Sequence, residues 1–183
     1  MTKNGWLVSD GRSIVETGCA ETDFETACRL VHVEQDHIVN ANGMVMTPGY
    51  VDIHSHGAWG SSFDDGEKGI TTARAGHMAH GTTRQVLSLI TNPIDVICGN
   101  LKTVHDMMPD RPDILGAHLE GPFLAMPRKG AHDPNCLVDP TPDLVSRMLD
   151  AADGCLRQIT IAPELPHGID AIRRFFLAGV VPA

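Results

Sequence analysis

Hydrophobic and polar positions follow one pattern at the start of the chain and another in the rest. The run "WLVSDGRSIVETG" (residues 6–18) predicts two short strands around a Ser-Asp-Gly turn, and "HIVNANGMVMTPG" (residues 37–49) predicts a similar pair around Ala-Asn-Gly. The segment "ETDFETACRLVHVE" between them is ambiguous. We therefore expect residues 1–47 to form a small β-rich lobe and residues 48–183 to form a second domain.

From residue 48 onward, strand-like and helix-like patterns alternate. Strands are predicted in "GYVDIHSH", "TTRQVLSLIT", "DILGAHLEG", "RQITIAPE" and the final "VVPA". Helices are predicted between them, one ending near Gly81 and another beginning with Thr141 as N-cap and Pro142 in the first turn. Such alternation favours a parallel sheet, here the first four βα units and the start of strand five of a (β/α)8 barrel. An open doubly wound sheet is the alternative, but no strand is followed by a GxGxxG turn.

Two histidines end the first strand of this predicted sheet. Since side chains alternate along a strand, Asp52, His54 and His56 are expected to share one face. Two imidazoles about 7 Å apart on one face can converge on one metal ion. The alternative interpretation is a pair of hydrogen-bonded histidines without a metal.

The strand "LGAHLEGPF" places titratable groups inside an apolar run. His118 and Glu120 share a face with Gly116, whereas the apolar residues between them face the opposite way, towards the helices. A carboxylate in a barrel interior is costly unless it is paired or bound to a metal. Glu120 is therefore a candidate metal ligand together with His54 and His56. The alternative is an ion pair with Arg128 or Lys129, which are near in sequence.

The loop after Glu120, "FLAMPRKGAHDPN", is long and rich in Gly and Pro, which is typical of a functional loop. Its His132 could donate a hydrogen bond to a substrate oxygen, or it could simply be a solvent-exposed loop histidine. Glu164 ends another strand, but Pro163 beside it favours a structural role. The remaining histidines are expected on helix surfaces, in packing or in the first lobe: His32, His37, His77, His80, His105 and His167.

Composition and charge narrow the class of protein. The net charge of −9 makes nucleic acid or a membrane surface a poor partner. The sequence offers no apolar stretch long enough to span a bilayer and no signal-peptide core at its start. Its five scattered cysteines form no CxxC pair, which fits a reducing, cytoplasmic location.

Three stretches resemble the N-acetylglucosamine-6-phosphate deacetylase family of the amidohydrolase superfamily. "TPGYVDIHSHG" is similar to the first-strand signature of the whole superfamily, and "GTTRQVLSLIT" is similar to the second strand of the family. The run "LGAHLEGPFL…KGAHDPN" is the more specific pattern, and "ITIAPE" resembles the fourth strand. The resemblance covers essentially the whole chain, with the first 47 residues matching part of a small β-sandwich lobe.

The resemblance implies roles for particular residues. Glu120 would be the principal metal ligand, His54 and His56 would hold a second ion, and His132 and the backbone of Ala131 would contact the substrate, with His132 near the acetyl carbonyl. The implied reaction is metal-dependent hydrolysis of N-acetylglucosamine 6-phosphate to glucosamine 6-phosphate and acetate. Zinc is the expected metal, with iron as the alternative, as one or two ions, and relatives are typically homodimers.

The resemblance also implies that this chain carries the N-terminal portion of such an enzyme. Two further His ligands, the catalytic Asp and the phosphate-binding residues of the family would lie beyond Ala183. We therefore keep two other hypotheses: an inactive truncated remnant, and a half barrel that needs a complementary chain. A dihydroorotase-like enzyme is a further alternative, which the "HLEGPF" run disfavours.

Overall fold

The computed structural model describes residues 3–183 of the chain. The chain divides into two compact units, Met1–Pro48 and Gly49–Ala183. The larger unit contains a parallel sheet and all the side chains discussed below as parts of a site. No helix in the range that the structure describes is long and apolar enough to cross a membrane.

The first unit contains a hairpin and a helix. Strands β1 (Trp6–Ser9) and β2 (Ile14–Gly18) pair antiparallel, as the sequence predicts. Between them Asp10 Oδ1 accepts hydrogen bonds from the backbone N–H groups of Arg12 (3.0 Å) and Ser13 (2.7 Å). These bonds hold the turn, and they lower the pKa of the Asp10 carboxyl below its usual value because they favour the charged form.

The ambiguous segment after the hairpin is helix α1 (Glu21–Leu30). Acidic Glu21 and Asp23 lie in its first turn and basic Arg29 lies in its last turn, so its charges match the helix dipole. The prediction of strands in residues 37–49 is wrong, although the turn at Asn42 is present, with its N–H bonded to Asn40 Oδ1 at 2.8 Å. Within the described range this segment has no strand to pair with, and the side chains of Val39, Met44, Val45 and Met46 are exposed.

The second unit alternates strands and helices. Its strands are β3 (Tyr50–Ser55), β4 (Gly57–Ala58), β5 (Ser61–Ser62), β6 (Thr82–Ile90), β7 (Ile114–Glu120), β8 (Leu156–Thr160) and β9 (Val181–Pro182). Its helices are α2 (Gly66–Met78), α3 (Ile94–Met107), α4 (Pro142–Ala152) and α5 (Gly168–Leu177). The β4–β5 hairpin is antiparallel and was outside the sequence predictions.

Five strands form one sheet in the order β3-β6-β7-β8-β9, and every neighbouring pair is parallel. A helix follows each of the first four strands. This arrangement confirms the predicted half of a (β/α) barrel. The predicted start of α4 is also confirmed, since Thr141 Oγ1 accepts a hydrogen bond from Leu144 N and Pro142 occupies the first turn.

The core lies between the sheet and the helices. Alternate residues of the central strands are completely buried there, which is the burial expected when one face of a sheet is covered by helices. They are Leu87 and Leu89 of β6, Ala117 and Leu119 of β7, and Ile159 of β8. From the helices, Ile70, Ile97, Leu101, Met148 and Phe175 complete this layer.

The opposite face of the sheet is chemically mixed. The strand register places Ile90 beside Glu120, Gln158 beside His118, and Val181 beside Gln158, so these residues share the face away from the helices. Ile90 and Val181 are exposed there, while His118 is fully buried. This face carries the polar groups that the alternation pattern of β7 predicts.

Gly116 allows the close approach of β8 to β7. Its φ of +140° is one that other residues rarely adopt, and an added Cβ would lie 2.3 Å from the carbonyl oxygen of Cys155. The same strand places His118 and Glu120 two and four residues later. The glycine therefore allows the backbone geometry that this strand requires.

We expect Gly116→Ala to lower the free energy of unfolding by about 2 kcal/mol or more. Alanine would be strained at this positive φ, and its Cβ would clash with the backbone carbonyl of Cys155. Chemical denaturation would measure this. Gly99→Ala is the matched control: Gly99 lies in α3 with open space around it, so alanine should raise stability by about 0.5–1 kcal/mol. Equal stability of the two variants would show that the β7–β8 approach is not tight.

Candidate metal centre

The carboxyl ends of β3 and β7 bring together the two histidines and the glutamate singled out in the sequence. His54 Nε2 lies 3.2 Å from His56 Nε2 and 3.6 Å from Glu120 Oε1. His56 Nε2 lies 3.0 Å from Glu120 Oε2. One ligand atom from each residue falls within 4.8 Å of the other two, so the three could hold one metal ion.

The donor set of this cluster fits a transition metal. Two imidazole nitrogens and one carboxylate oxygen suit zinc or iron, and three protein ligands leave positions open for water and substrate. The side chains are partly open to solvent, with Glu120 25% exposed. The buried Nδ1 of His56 has no hydrogen-bond partner among the residues that the structure describes, and its Nε2 faces the cluster.

The prediction that Asp52 shares a face with His54 and His56 is wrong. The register between β3 and β6 shifts: Asp52 pairs with Gln85 but Ser55 pairs with Leu87, so β3 has one extra residue between these pairs. Asp52 Oδ2 instead lies 3.7 Å from Nδ1 of His77 on α2. Its other carboxylate oxygen accepts a hydrogen bond from the backbone N–H of His54 at 3.0 Å.

His132 joins the cluster from the loop that follows β7. Its Nε2 lies 3.4 Å from Glu120 Oε2, and its side chain is only 13% exposed, so it is not a solvent-exposed loop histidine. Lys129 Nζ donates to the carbonyl oxygens of His132 (2.9 Å) and Gly130 (3.2 Å). Ala131, between them, is exposed to solvent.

The alternative role for Glu120, an ion pair with Arg128 or Lys129, is not what the structure contains. In residues 3–183 the ion-pair partners of Glu120 are His54, His56 and His132. The turn after Glu120 is fixed by the hydroxyl of Thr91, which donates to the Glu120 carbonyl at 3.1 Å. Gly121 has a φ of +85°, and a Cβ there would lie 2.2 Å from that hydroxyl oxygen.

His118 forms the floor beneath the cluster. It is fully buried, with Nδ1 2.9 Å from Ser88 Oγ of β6 and Nε2 2.9 Å from Thr160 Oγ1 of β8. Its ring packs edge-on against that of His54, with centroids 4.7 Å apart. Burial, reinforced by the nearby His54, lowers the pKa of His118 to about 4, so the ring is neutral at pH 7.

Two further residues brace the cluster and were missed in the sequence analysis. His77 is a packing residue as expected, with its ring centroid 6.0 Å from that of Phe63, and its Nε2 also donates to the Gly57 carbonyl at 3.1 Å. Asp64, in the turn before α2, accepts hydrogen bonds from the end of β6 and from α3. Neither residue lies in a recognisable sequence motif. The position of Asp64 shortly after His54 and His56 could still have marked it as a residue near the cluster.

The other predicted residues lie elsewhere. Glu164 is exposed and is not part of the cluster, and the structural role expected for it stays a prediction. His105 contacts Asp106 (3.3 Å) and Asp153 (3.6 Å) at the ends of α3 and α4. His80 follows α2 in an exposed turn, and His167 precedes α5 with a positive φ of 63°.

Sequence comparisons find N-acetylglucosamine-6-phosphate deacetylases among the relatives of this chain. No protein-family model matches the chain. The chain is 27% identical over 158 residues to an N-acetylglucosamine-6-phosphate deacetylase from Lysinibacillus sphaericus, covering 82% of this chain and 40% of that protein. It is 30% identical over 140 residues to the protein of the same name from Vibrio furnissii, covering 74% of this chain and 35% of the relative.

Solved structures agree with this result. The chain matches N-acetyl-D-glucosamine-6-phosphate deacetylase from Mycobacterium smegmatis with a TM-score of 0.78 and 32% identity, over 97% of this chain and 44% of that one. A mutant of the Mycobacterium smegmatis protein, solved in complex with N-acetyl-D-glucosamine-6-phosphate, matches with a TM-score of 0.79 at 31% identity. The chain thus spans less than half the length of the proteins it matches.

The fold and the relatives together give the class of protein. The half barrel is homologous to one part of α/β-barrel hydrolases. More narrowly, the chain is homologous to part of the N-acetylglucosamine-6-phosphate deacetylases, which confirms the resemblance seen in its motifs.

We expect His118→Leu to lower the free energy of unfolding by about 1–3 kcal/mol, because the buried hydroxyl of Ser88 and the partly buried hydroxyl of Thr160 lose their partner. Urea denaturation of the metal-free chain would measure the loss. Adding Ser88→Ala to the His118→Leu variant should recover part of it, since one unpaired hydroxyl is then removed. No loss in the single variant would mean that these hydrogen bonds make no net contribution.

Proposed function

We propose that this chain is part of a metal-dependent deacetylase that hydrolyses the N-acetyl group of N-acetylglucosamine 6-phosphate to glucosamine 6-phosphate and acetate. The observation that carries the proposal is the convergence of His54, His56, Glu120 and His132 at the carboxyl ends of the strands. Barrel enzymes keep their chemistry at this end. Homology to proteins with that deacetylase name supports the choice of reaction over that of a dihydroorotase-like enzyme.

In this proposal Glu120 is the central metal ligand, and His54 and His56 complete the set for one ion or hold a second ion. Zinc is the expected metal and iron is the alternative. When bound, the metal would activate a water molecule and polarise the acetyl carbonyl. Glu120 would also hold its neighbours in place, since each of its oxygens already faces a histidine Nε2.

His132 would orient the substrate. Its ring nitrogen lies 3.4 Å from Glu120, so a carbonyl placed beside the metal ligands would be within its reach. The hydrogen bond from Lys129 to the His132 carbonyl restrains the loop, which limits how far the imidazole can drift. The backbone of Ala131 would provide a second substrate contact from the same loop.

The complete site would need further groups. We propose that the acid/base Asp, two more His ligands and the phosphate contacts come from sequence outside these 183 residues or from a complementary chain. The exposed apolar residues Ile90 and Val181, on the face that carries Glu120, favour a half barrel that functions only when completed.

Homodimerisation of the completed enzyme is also part of the proposal. A cytoplasmic location is a further part, which the five free cysteines support.

Glu120→Gln should weaken zinc binding by at least about tenfold, because a neutral amide replaces the only anionic ligand of the three. Isothermal titration of the purified chain with Zn²⁺ would measure this. Glu164→Gln is the matched control, since Glu164 is exposed and outside the cluster. The Zn²⁺ affinity of this variant should equal that of the parent chain. Unchanged affinity in Glu120→Gln would refute the ligand assignment.

His132→Ala should leave metal content unchanged and lower kcat by about 10²- to 10³-fold, if His132 donates to the carbonyl oxygen as negative charge develops there. Turnover would be followed as acetate release by a chimera in which this half barrel replaces the matching part of the Lysinibacillus sphaericus protein. His105→Ala, far from the cluster, is the control. Full activity of His132→Ala would show that His132 is a loop residue without a role in turnover.

A further inference from the structure

Asp64 is the most heavily hydrogen-bonded side chain near the cluster. Its Oδ1 accepts from the side-chain amides of Asn92 (3.3 Å) and Asn100 (3.1 Å). Its Oδ2 accepts from the backbone N–H of Ile90 at 3.2 Å and lies 3.4 Å from the hydroxyl of Ser62, which donates to it. One carboxylate therefore links the segment after β3 to the end of β6 and to α3.

The segment that Asp64 anchors is the one that begins at His56. The backbone N–H of Phe63 donates to the His56 carbonyl at 3.1 Å, and Ser62 Oγ lies 3.3 Å from the same oxygen. The N–H of Asp64 donates to Ser62 Oγ at 3.1 Å. The hydrogen bonds of Ser62 and Phe63 thus connect Asp64 to the backbone of His56.

The environment of Asp64 is costly for a carboxylate. Burial raises its pKa above the usual value, against the opposing effect of its hydrogen bonds to Ile90, Asn100 and Ser62. In residues 3–183 no lysine or arginine forms a salt bridge with it. A partly buried carboxylate with neutral hydrogen-bond donors is a costly way to fix a turn that Asp65 also supports, by accepting from Ser62 N at 2.8 Å.

We propose that Asp64 is a positioning residue for the metal centre: it sets the place of His56 relative to Glu120 by anchoring the β3–α2 connection to β6 and α3. This inference rests on the proposed metal-binding function. Its physical basis is that metal ligands must be held within about 0.5 Å of the geometry that binding requires. A connecting segment without an anchor does not hold a ligand so closely. Asp64 is not one of the three residues of the cluster, which are His54, His56 and Glu120.

The test compares Co²⁺ and Zn²⁺ binding by the purified chain and by Asp64→Ala, Asn100→Ala and Asp106→Ala variants. Asp106 is the charge-matched control, because it is exposed on α3 and, in the range that the structure describes, its ion-pair partners are Lys102 and His105. Three quantities are measured: the Kd for each ion, the visible absorption bands of bound Co²⁺, which report ligand geometry, and the free energy of unfolding without metal. Asp64→Asn, which keeps one acceptor oxygen, replaces Asp64→Ala if the latter does not fold.

Asp64→Ala is expected to raise the Kd for Zn²⁺ by about 10- to 100-fold and to alter the Co²⁺ spectrum, the range seen when supporting partners of metal ligands are removed. Asn100→Ala should give a smaller change in the same direction, and Asp106→Ala none. A variant at Asp64 that loses stability yet binds Co²⁺ with the parent affinity and spectrum would overturn the inference alone. If the parent chain itself binds neither ion, the proposed metal centre fails, and this inference fails with it.

Discussion

The parallel register between β6, β7 and β8 is the constraint on which the candidate site depends. With Ala117 and Leu119 buried against the helices, His118 and Glu120 must point to the other face, because side chains alternate along a strand. A slip by one residue would exchange the two sets. It would place a carboxylate in the helix-facing core, so the free energy of core packing also fixes the position of Glu120.

The sequence was sufficient for those parts of the molecule where local pattern and tertiary structure agree. The strand–helix alternation predicted the order of elements in the larger unit, and the "HSH" and "HLEG" runs predicted which side chains would meet. Both signals come from alternation along regular strands. They fail where regularity fails, as at the β3 register shift that turns Asp52 towards His77.

The supporting residues could not be found in the same way. His118 is held by Ser88 and Thr160, 30 and 42 residues away in sequence, and Asp64 is held by Asn100, 36 residues away. No local pattern encodes such long-range pairs, and their existence depends on the finished packing of three strands and a helix. Residues 37–49 carry a strand-like pattern but pair with no strand among residues 3–183, so propensity alone gave the wrong answer there.

The outer strands of the five-stranded sheet, β3 and β9, run in the same direction and are not equivalent. If two copies joined by pairing β9 of one with β3 of the next, the strand direction would be preserved and a new free β9 would remain. Such a contact is heterologous, so unless its rotation closes a ring it adds copy after copy into a fibre. The direction of the strands thus makes the half barrel prone to open-ended polymerisation wherever its edges are left uncovered.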